Sequence, residues 1–505
     1  MQDSQTEIVS FLGSPRAFPE TPDTPVEVVE THGARIFLGG KTALKLKRAV
    51  VYDYMDLATP ERRRAMLQRE LDLNRPVAPE IYQALVPVTR TPGGALTLGG
   101  AGTPVDWVLR MRRFRAEEEL TAVADRGALD DALATRLGTA IAGYHDAAPV
   151  RIQPGAPPIA AILDELGRVF AEFPAQSDGL RIADWLGPAR AALDRVAPLL
   201  DRRGKAGHIR RGHGDLHLRN IVMIGDRPVP FDALEFDETL GTCDLLYDIG
   251  FLVMDLCHRG LARAACRVMD AWLLARGGAE DAGLAALPLF LSVRAAIRAM
   301  VLVQTGAARG DPASSSDEAA VYMDQARRFL APAPARLVAV GGYSGSGKSV
   351  LARALAPDLG AMPGAVLLSS DLMRKAGRDP AAHLPERDYS AGARRQVYDD
   401  MLARAAVLLE AGQSVILDAT FLDAELRRRA RAVAEAAQVP FTGLFLTAPP
   451  EVLGARVAAR RGDASDADGA VLQRQLARGT GPLDWACLDA AGTPEDSLRA
   501  ARAAI

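Results

Sequence analysis

The sequence predicts an α+β region followed by an α/β domain built on a parallel sheet. Three observations predict it. Short β-prone runs at 26–29, 35–38 and 42–46, separated by His32-Gly33 and Gly39-Gly40 turns, give way to text that is mostly helical from about Asp130. Later, apolar runs at 337–340, 365–368, 414–417 and 443–446 alternate with Ala/Arg/Leu-rich stretches, the pattern of parallel strands joined by helices. Between the two regions lies Ala331-Pro332-Ala333-Pro334-Ala335, a Pro/Ala spacer. The expected boundaries are therefore 1–330, a linker at 331–336, and 337–505.

Composition limits the classes of function. At 505 residues the chain exceeds one compact core, on a prior of ~150 residues per domain. A net charge of −3 gives no general attraction to nucleic acid or to an anionic membrane. No run of ~18 uninterrupted apolar residues appears, so no membrane span is expected. The opening residues do not read as a secretory signal. Cys243, Cys257, Cys266 and Cys487 form no CxxC pair and read as reduced thiols of a cytoplasmic protein.

The elements carry chemistry in order. In the first region, Thr59 and Pro60 are N-cap and first residue of a helix that follows the β-prone runs. Residues 107–111 read as a further strand. His213-Gly214-Asp215-Leu216-His217-Leu218-Arg219-Asn220 has the spacing H-x-D-x-x-x-x-N, and Pro230-Phe231-Asp232 follows. Phosphoryl transfer to an alcohol needs one acid to orient the hydroxyl and oxygen ligands to hold Mg²⁺ on the phosphates. Asp215 supplies the first, and Asn220 with Asp232 supplies the second. His217 reads as an ordinary residue of this loop, not as a metal ligand.

In the second region, Gly342-Tyr343-Ser344-Gly345-Ser346-Gly347-Lys348-Ser349 fits GxxxxGK[ST] between an apolar strand and a helix. Backbone N–H groups at Gly342, Ser344, Gly345, Ser346 and Gly347 then turn onto phosphate at a helix N-terminus, Lys348 reaches the outer phosphates, and Ser349 binds Mg²⁺. Asp418 ends an apolar strand where a carboxylate holds the Mg²⁺ water shell. Asp371, just past another strand, is placed to take a proton from a substrate hydroxyl.

These motifs carry two resemblances. The HGD…N…D set resembles the aminoglycoside and choline phosphotransferases, which implies an α+β bilobal protein-kinase-like domain. Asp244-Leu245-Leu246-Tyr247-Asp248-Ile249 resembles that family's downstream segment, which implies Asp248 as a buried brace of the catalytic loop. Thr42-Ala43-Leu44-Lys45 resembles its V-A-I-K strand, which implies Lys45 on the ATP phosphates, with Lys47 on the same strand face as the alternative and Glu70 of the next helix as partner. One departure is plain: Thr31-His32-Gly33-Ala34 stands where kinases carry GxGxxG.

The second region resembles small P-loop kinases: gluconate kinases, polynucleotide 5′-hydroxyl kinases and zeta-type toxins. Ser369-Ser370-Asp371-Leu372-Met373-Arg374-Lys375 resembles the base-and-arginine motif of the latter two, which implies Asp371 as base and Arg374 as a substrate or phosphate contact. The stretch from Ala455 to Arg461 resembles the lid helix of the group, which implies Arg456 and Arg460 near the transferring phosphoryl. Phe421 replaces the polar residue expected of a polynucleotide kinase. The whole pattern resembles fused bacterial proteins that join the two kinase types. It implies ATP and Mg²⁺ as cofactors and hydroxyls of small molecules as acceptors, with nucleic acid and membrane not expected as partners.

Overall fold

The computed structural model describes residues 5–21, 25–52, 55–309, 313–378, 385, 390–459 and 466–505. The chain packs as two compact units. One comprises residues up to Leu129, Tyr144–Arg151 and Ile209–Asp248; the other comprises Asp130–Gly143, Ile152–His208 and Ile249–Ile505.

The first unit is built on a six-stranded antiparallel sheet. Its strands are β1 (Glu27–Glu30), β2 (Ala34–Gly39), β3 (Thr42–Lys47), β6 (Tyr82–Arg90), β7 (Leu96–Leu98) and β8 (Thr103–Arg112), in the order β1-β2-β3-β8-β6-β7. Two short strands, β4 (Val51–Tyr52) and β5 (Met55–Asp56), form a separate ladder. Alternation along β3 sorts its side chains: Leu44 and Leu46 join Phe37 and Val108 in one core, whereas Ala43 joins Leu67, Leu71, Leu109 and Met111 in another. Each fully buried leucine contributes about 1.5–3 kcal/mol. Lys45 and Lys47 therefore point to the same face as Ala43, toward the helix Pro60–Asn74. That helix starts as its sequence predicts, with Thr59 Oγ accepting from the Arg62 N–H and Pro60 at its first position. Beyond the sheet, β9 (Ile209–Arg211) pairs with β12 (Thr242–Asp244), and β10 (Ile221–Ile224) with β11 (Arg227–Pro230).

The second unit combines helices with a five-stranded parallel sheet. Strands β13 (Leu337–Gly342), β14 (Val366–Ser369), β15 (Val415–Asp418), β16 (Phe441–Thr447) and β17 (Ala486–Asp489) lie in the order β14-β15-β13-β16-β17. Four of the five match the sequence expectation. The fifth, β17, escaped it because an edge strand with three exposed residues of four carries no apolar run. The spacer at 331–336 is neither helix nor strand. Helices from before it nevertheless belong to the same compact unit as the parallel sheet. On the helix Ala262–Ala275, Asp270 Oδ1 accepts the Leu367 N–H of edge strand β14 at 3.0 Å. Nearby, Arg404 grips Asp281 through two bonds of 2.7 and 2.9 Å, and Gln413 Nε2 donates to the Leu284 carbonyl at 3.2 Å.

The segment Asp281–Ala308 is long and apolar enough to cross a bilayer, with mean hydropathy 1.8, yet 67% of its most apolar window is buried inside the fold. Its interior side chains Phe290, Leu291 and Val293 are fully buried, as in a core helix. All four cysteines are free thiols.

Candidate active sites

The first candidate site forms where β3, the helix Pro60–Asn74 and the loops around β10 and β11 meet. Lys45 Nζ donates to Glu70 Oε1 at 2.6 Å and to Asp232 Oδ1 at 2.7 Å. Lys47 Nζ lies 2.8 Å from Glu70 Oε2 and also pairs with Glu235. Burial opposes the charge on Lys45, but Asp232, Glu70 and Glu235 outweigh it and hold the amine well above the ordinary lysine range. Burial raises the Asp232 carboxyl as well; the Lys45 amine reverses this and leaves it below its usual range.

Asp215 is held from two sides. Asn220 Nδ2 donates to its Oδ2 and its carbonyl, both at 2.9 Å, while His217 Nε2 lies 3.3 Å from the same Oδ2. The loop behind it hangs on Asp248, which is fully buried. Its two oxygens accept the His213 and Gly214 N–H groups at 2.8 and 2.9 Å. Asp248 is thus a brace, as the resemblance implied. A Cβ on Gly212 would stand 2.5 Å from Asp248 Oδ2, so this brace requires a glycine there. Burial pushes His213 below the ordinary histidine range. Geometry fixes its neutral tautomer: Nε2 donates to the Phe231 carbonyl at 2.9 Å and Nδ1 accepts the Asp215 N–H at 3.3 Å.

Asp232 sits at a φ of +60°, a left-handed conformation that β-branched side chains avoid. Tyr82 Oη accepts its N–H at 2.9 Å, and Asn74 Oδ1 accepts the next one, from Ala233, at 2.8 Å. These two residues, with Lys47 and Glu235, belong to the site although the sequence reading passed over them or ranked them second. The Asp232-x-x-Glu235 spacing is the one signal that marked the additional carboxylate. Two lysines face three carboxylates (Glu70, Asp232, Glu235), and Asp215 adds a further negative charge beside Asp232, an excess that suits a divalent cation.

The second candidate site lies at the carboxyl ends of β13, β14 and β15. Gly342 and Gly347 take φ values of +142° and +89°, which only glycine adopts without strain. A Cβ on Gly345 would meet the Leu453 carbonyl at 2.6 Å. The loop leads into the helix Lys348–Leu355, and Lys348 Nζ folds back to the Tyr343 carbonyl at 2.9 Å. Ser346 Oγ is buried without a hydrogen-bond partner among the described residues, and a Cβ on Gly342 would meet it at 2.7 Å. Ser349 Oγ donates to Asp418 Oδ2 at 2.6 Å. Register places Asp418 beside Val340 and Ser369. Burial raises the Asp418 carboxyl; Lys348 and Ser349 pull it down, and neighbouring Asp371 adds to the rise. A cation between these acids would relieve that crowding.

On the acceptor side, Arg374 Nη1 pairs with Asp371 Oδ1 at 2.9 Å. Arg456 departs from its expectation. Its guanidinium donates to the Ala490, Ala491 and Gly492 carbonyls at 2.7, 3.3 and 3.1 Å, so it caps the turn after β17. Arg460 lies outside the described residues. Phe421 is core: its ring is fully buried against Trp485 and Tyr398, at 5.0 and 5.6 Å between ring centroids.

With this geometry in hand, the family comparison agrees with the loop. The AAA domain family model matches residues 337–482, beginning at the first residue of β13. Residues 337–482 form a P-loop domain. Over 500 residues the chain is 29% identical to uncharacterized proteins of Mycobacterium tuberculosis and Mycobacterium bovis, covering 96% of each chain. Among solved structures, a choline/ethanolamine kinase family protein from Mesorhizobium loti is 16% identical, with a TM-score of 0.38, over 65% of this chain and 95% of that one. A gluconokinase from Sinorhizobium meliloti is 24% identical, with a TM-score of 0.25, over 34% of this chain and 94% of that one.

Proposed function

We propose that the chain is an ATP- and Mg²⁺-dependent phosphotransferase with two kinase-type sites, each delivering the γ-phosphoryl group to a hydroxyl of a small molecule. The observation that supports this reading is that one polypeptide holds two separate groupings of a lysine with buried carboxylates, Lys45 with Glu70 and Asp232, and Lys348 beside the Ser349–Asp418 pair. In the first, Lys45 is pinned by Glu70 where it can neutralise phosphate, and Asn220 with Asp232 would hold the metal. In the second, Lys348 and the amides of Gly345 and Gly347 would serve the phosphates, whereas the Gly342, Ser344 and Ser346 N–H groups, expected there, donate to the Thr420 carbonyl, Gln475 Oε1 and the Tyr343 carbonyl; Ser349 with Asp418 would hold the metal. Magnesium, when bound, supplies charge neutralisation on the phosphate oxygens.

The chain's own residues do the rest. Asp215, fixed by Asn220, orients the acceptor hydroxyl and takes its proton as the new O–P bond forms and ADP departs with the electron pair of the broken bond. Asp371 has the same task in the second site, with Arg374 holding its carboxylate. The test is ATP turnover by the full chain across a panel of hydroxylated metabolites. Asp215→Asn is expected to lower one acceptor-dependent activity by about 10²–10⁴-fold, and Lys348→Ala to abolish the other. Turnover untouched by both changes overturns the reading.

A second reading has one observation in its favour. The β1–β2 turn is closed on itself, Thr31 N–H to the Ala34 carbonyl at 2.9 Å and Ala34 N–H to Thr31 Oγ at 3.1 Å, and offers no glycine-rich cover for phosphates. In that reading the first half senses nucleotide and regulates the P-loop site. Nucleotide binding lost in Asp232→Asn, with no acceptor turnover lost in Asp215→Asn, would select it.

A further inference from the structure

The phosphate loop is not bare on its outer side. Tyr343 packs with Leu453 and Val457 of the helix Pro450–Ala458 and with Leu472 and Leu476 of the helix Gly469–Arg478. Gly345 approaches the first of these helices so closely that a Cβ would meet the Leu453 carbonyl. Between these contacts Gln475 Oε1 accepts the Ser344 N–H at 2.9 Å. The arm that carries Gln475 is pinned at its other end, where Lys375 Nζ pairs with Asp466 Oδ1 at 2.7 Å and both side chains are buried. Lys375 directly follows Arg374, which holds Asp371.

A backbone N–H can only donate, so the group facing Ser344 must be the Gln475 oxygen. Its NH₂, with two donors, is then held at the loop in a fixed orientation. Loop amides of this kind line a phosphate cradle; the Ser344 amide, four residues ahead of Lys348, is taken by Gln475 instead, which brings the Gln475 side chain to that loop. We propose that Gln475 is a nucleotide-positioning residue: anchored by its oxygen on Ser344, it donates through its NH₂ to the terminal phosphoryl group and so distinguishes ATP from ADP. This rests on the P-loop reading given above.

The test uses the full chain carrying Asp232→Asn, which removes a metal ligand from the first site, with Lys348→Ala as the control that identifies P-loop binding. Mg²⁺·ATP and Mg²⁺·ADP are titrated calorimetrically into this protein, into Gln475→Met, which keeps the volume but has no donor, and into Gln475→Glu. Gln475→Glu keeps an acceptor for Ser344 and sets a negative charge beside the phosphoryl. The ratio of ADP to ATP dissociation constants is expected to fall at least ten-fold in both variants, and further in Gln475→Glu. Equal losses for ATP and ADP would mark a structural arm and overturn the proposal, as would unchanged affinities. If either variant fails to fold, the other decides. A Lys348-dependent heat absent from the parent itself would instead defeat the P-loop reading.

Discussion

At the scale of single residues, the positions that decide the first site are those that hold an acid in place. Asp215 and Asn220 are readable because their spacing is local: five residues along one loop suffice to bring Nδ2 onto Oδ2. Glu235 and Lys47 were less readable, since their pairing joins residues 188 apart in sequence. Gly212 is silent in sequence, and only the approach of Asp248 explains it. Gly212→Ala is therefore expected to destabilise the chain by about 1–3 kcal/mol through overpacking. It should lower Asp215-dependent turnover while the Lys348-dependent activity persists, as thermal melts and paired assays will read. At the second site the loop motif was legible because such a turn demands glycine at fixed offsets, but not which amides point into it, since those of Gly342, Ser344 and Ser346 donate to Thr420, Gln475 and Tyr343. Arg456 was read from a resemblance to a lid helix, and a local resemblance says nothing about which carbonyls lie opposite its guanidinium.

At the scale of elements, the edge strand β14 is the instructive case. It carries Ser369 at its end and leads straight to Asp371, and its outer rim is covered by the helix Ala262–Ala275. Asp270 on that helix is pushed up to about 6 by burial, against the pull of Arg267, the Leu367 N–H, Arg353 and Arg404. The folded chain thus keeps this proton at pH values where the unfolded chain has lost it. Stability falls as pH rises from about 4 to about 6 and stays lower above that, by about 3 kcal/mol at ~1.4 kcal/mol per pH unit. Asp270→Asn, which keeps an oxygen for Leu367 and cannot ionise, is expected to melt several degrees above the parent at pH 7.5 and level with it at pH 4. A melting-temperature series across that range checks the sign. Equal differences at both ends would show that the carboxylate is not what penalises the fold.

At the scale of the whole molecule, the Pro/Ala spacer marks a change of architecture but not a cut between packing units. The Arg404–Asp281 pair joins the helix Ala391–Glu410 to the helical segment before the spacer, and its Asp281 is almost fully buried. A fragment spanning 331–505 leaves Arg404 and the β14 rim without these partners. It is expected to melt at least about 5 °C below the same domain in the full chain, measured by circular dichroism with nucleotide used to assign the transition. Identical melting would show that the helical cover adds nothing. The sequence by itself determined the parallel sheet, the first β-prone runs, the helix start at Thr59, the HGD loop and the phosphate loop, because alternation, capping and glycine-dependent turns act over a few neighbouring residues. Only the tertiary structure decided that Lys45 and Lys47 share Glu70, that Arg456 serves a turn, that Gln475 reaches Ser344, and that the P-loop domain leans on helices from before the spacer. Those are contacts between distant segments, set by which surfaces packing brings together, and no local pattern in the chain encodes them.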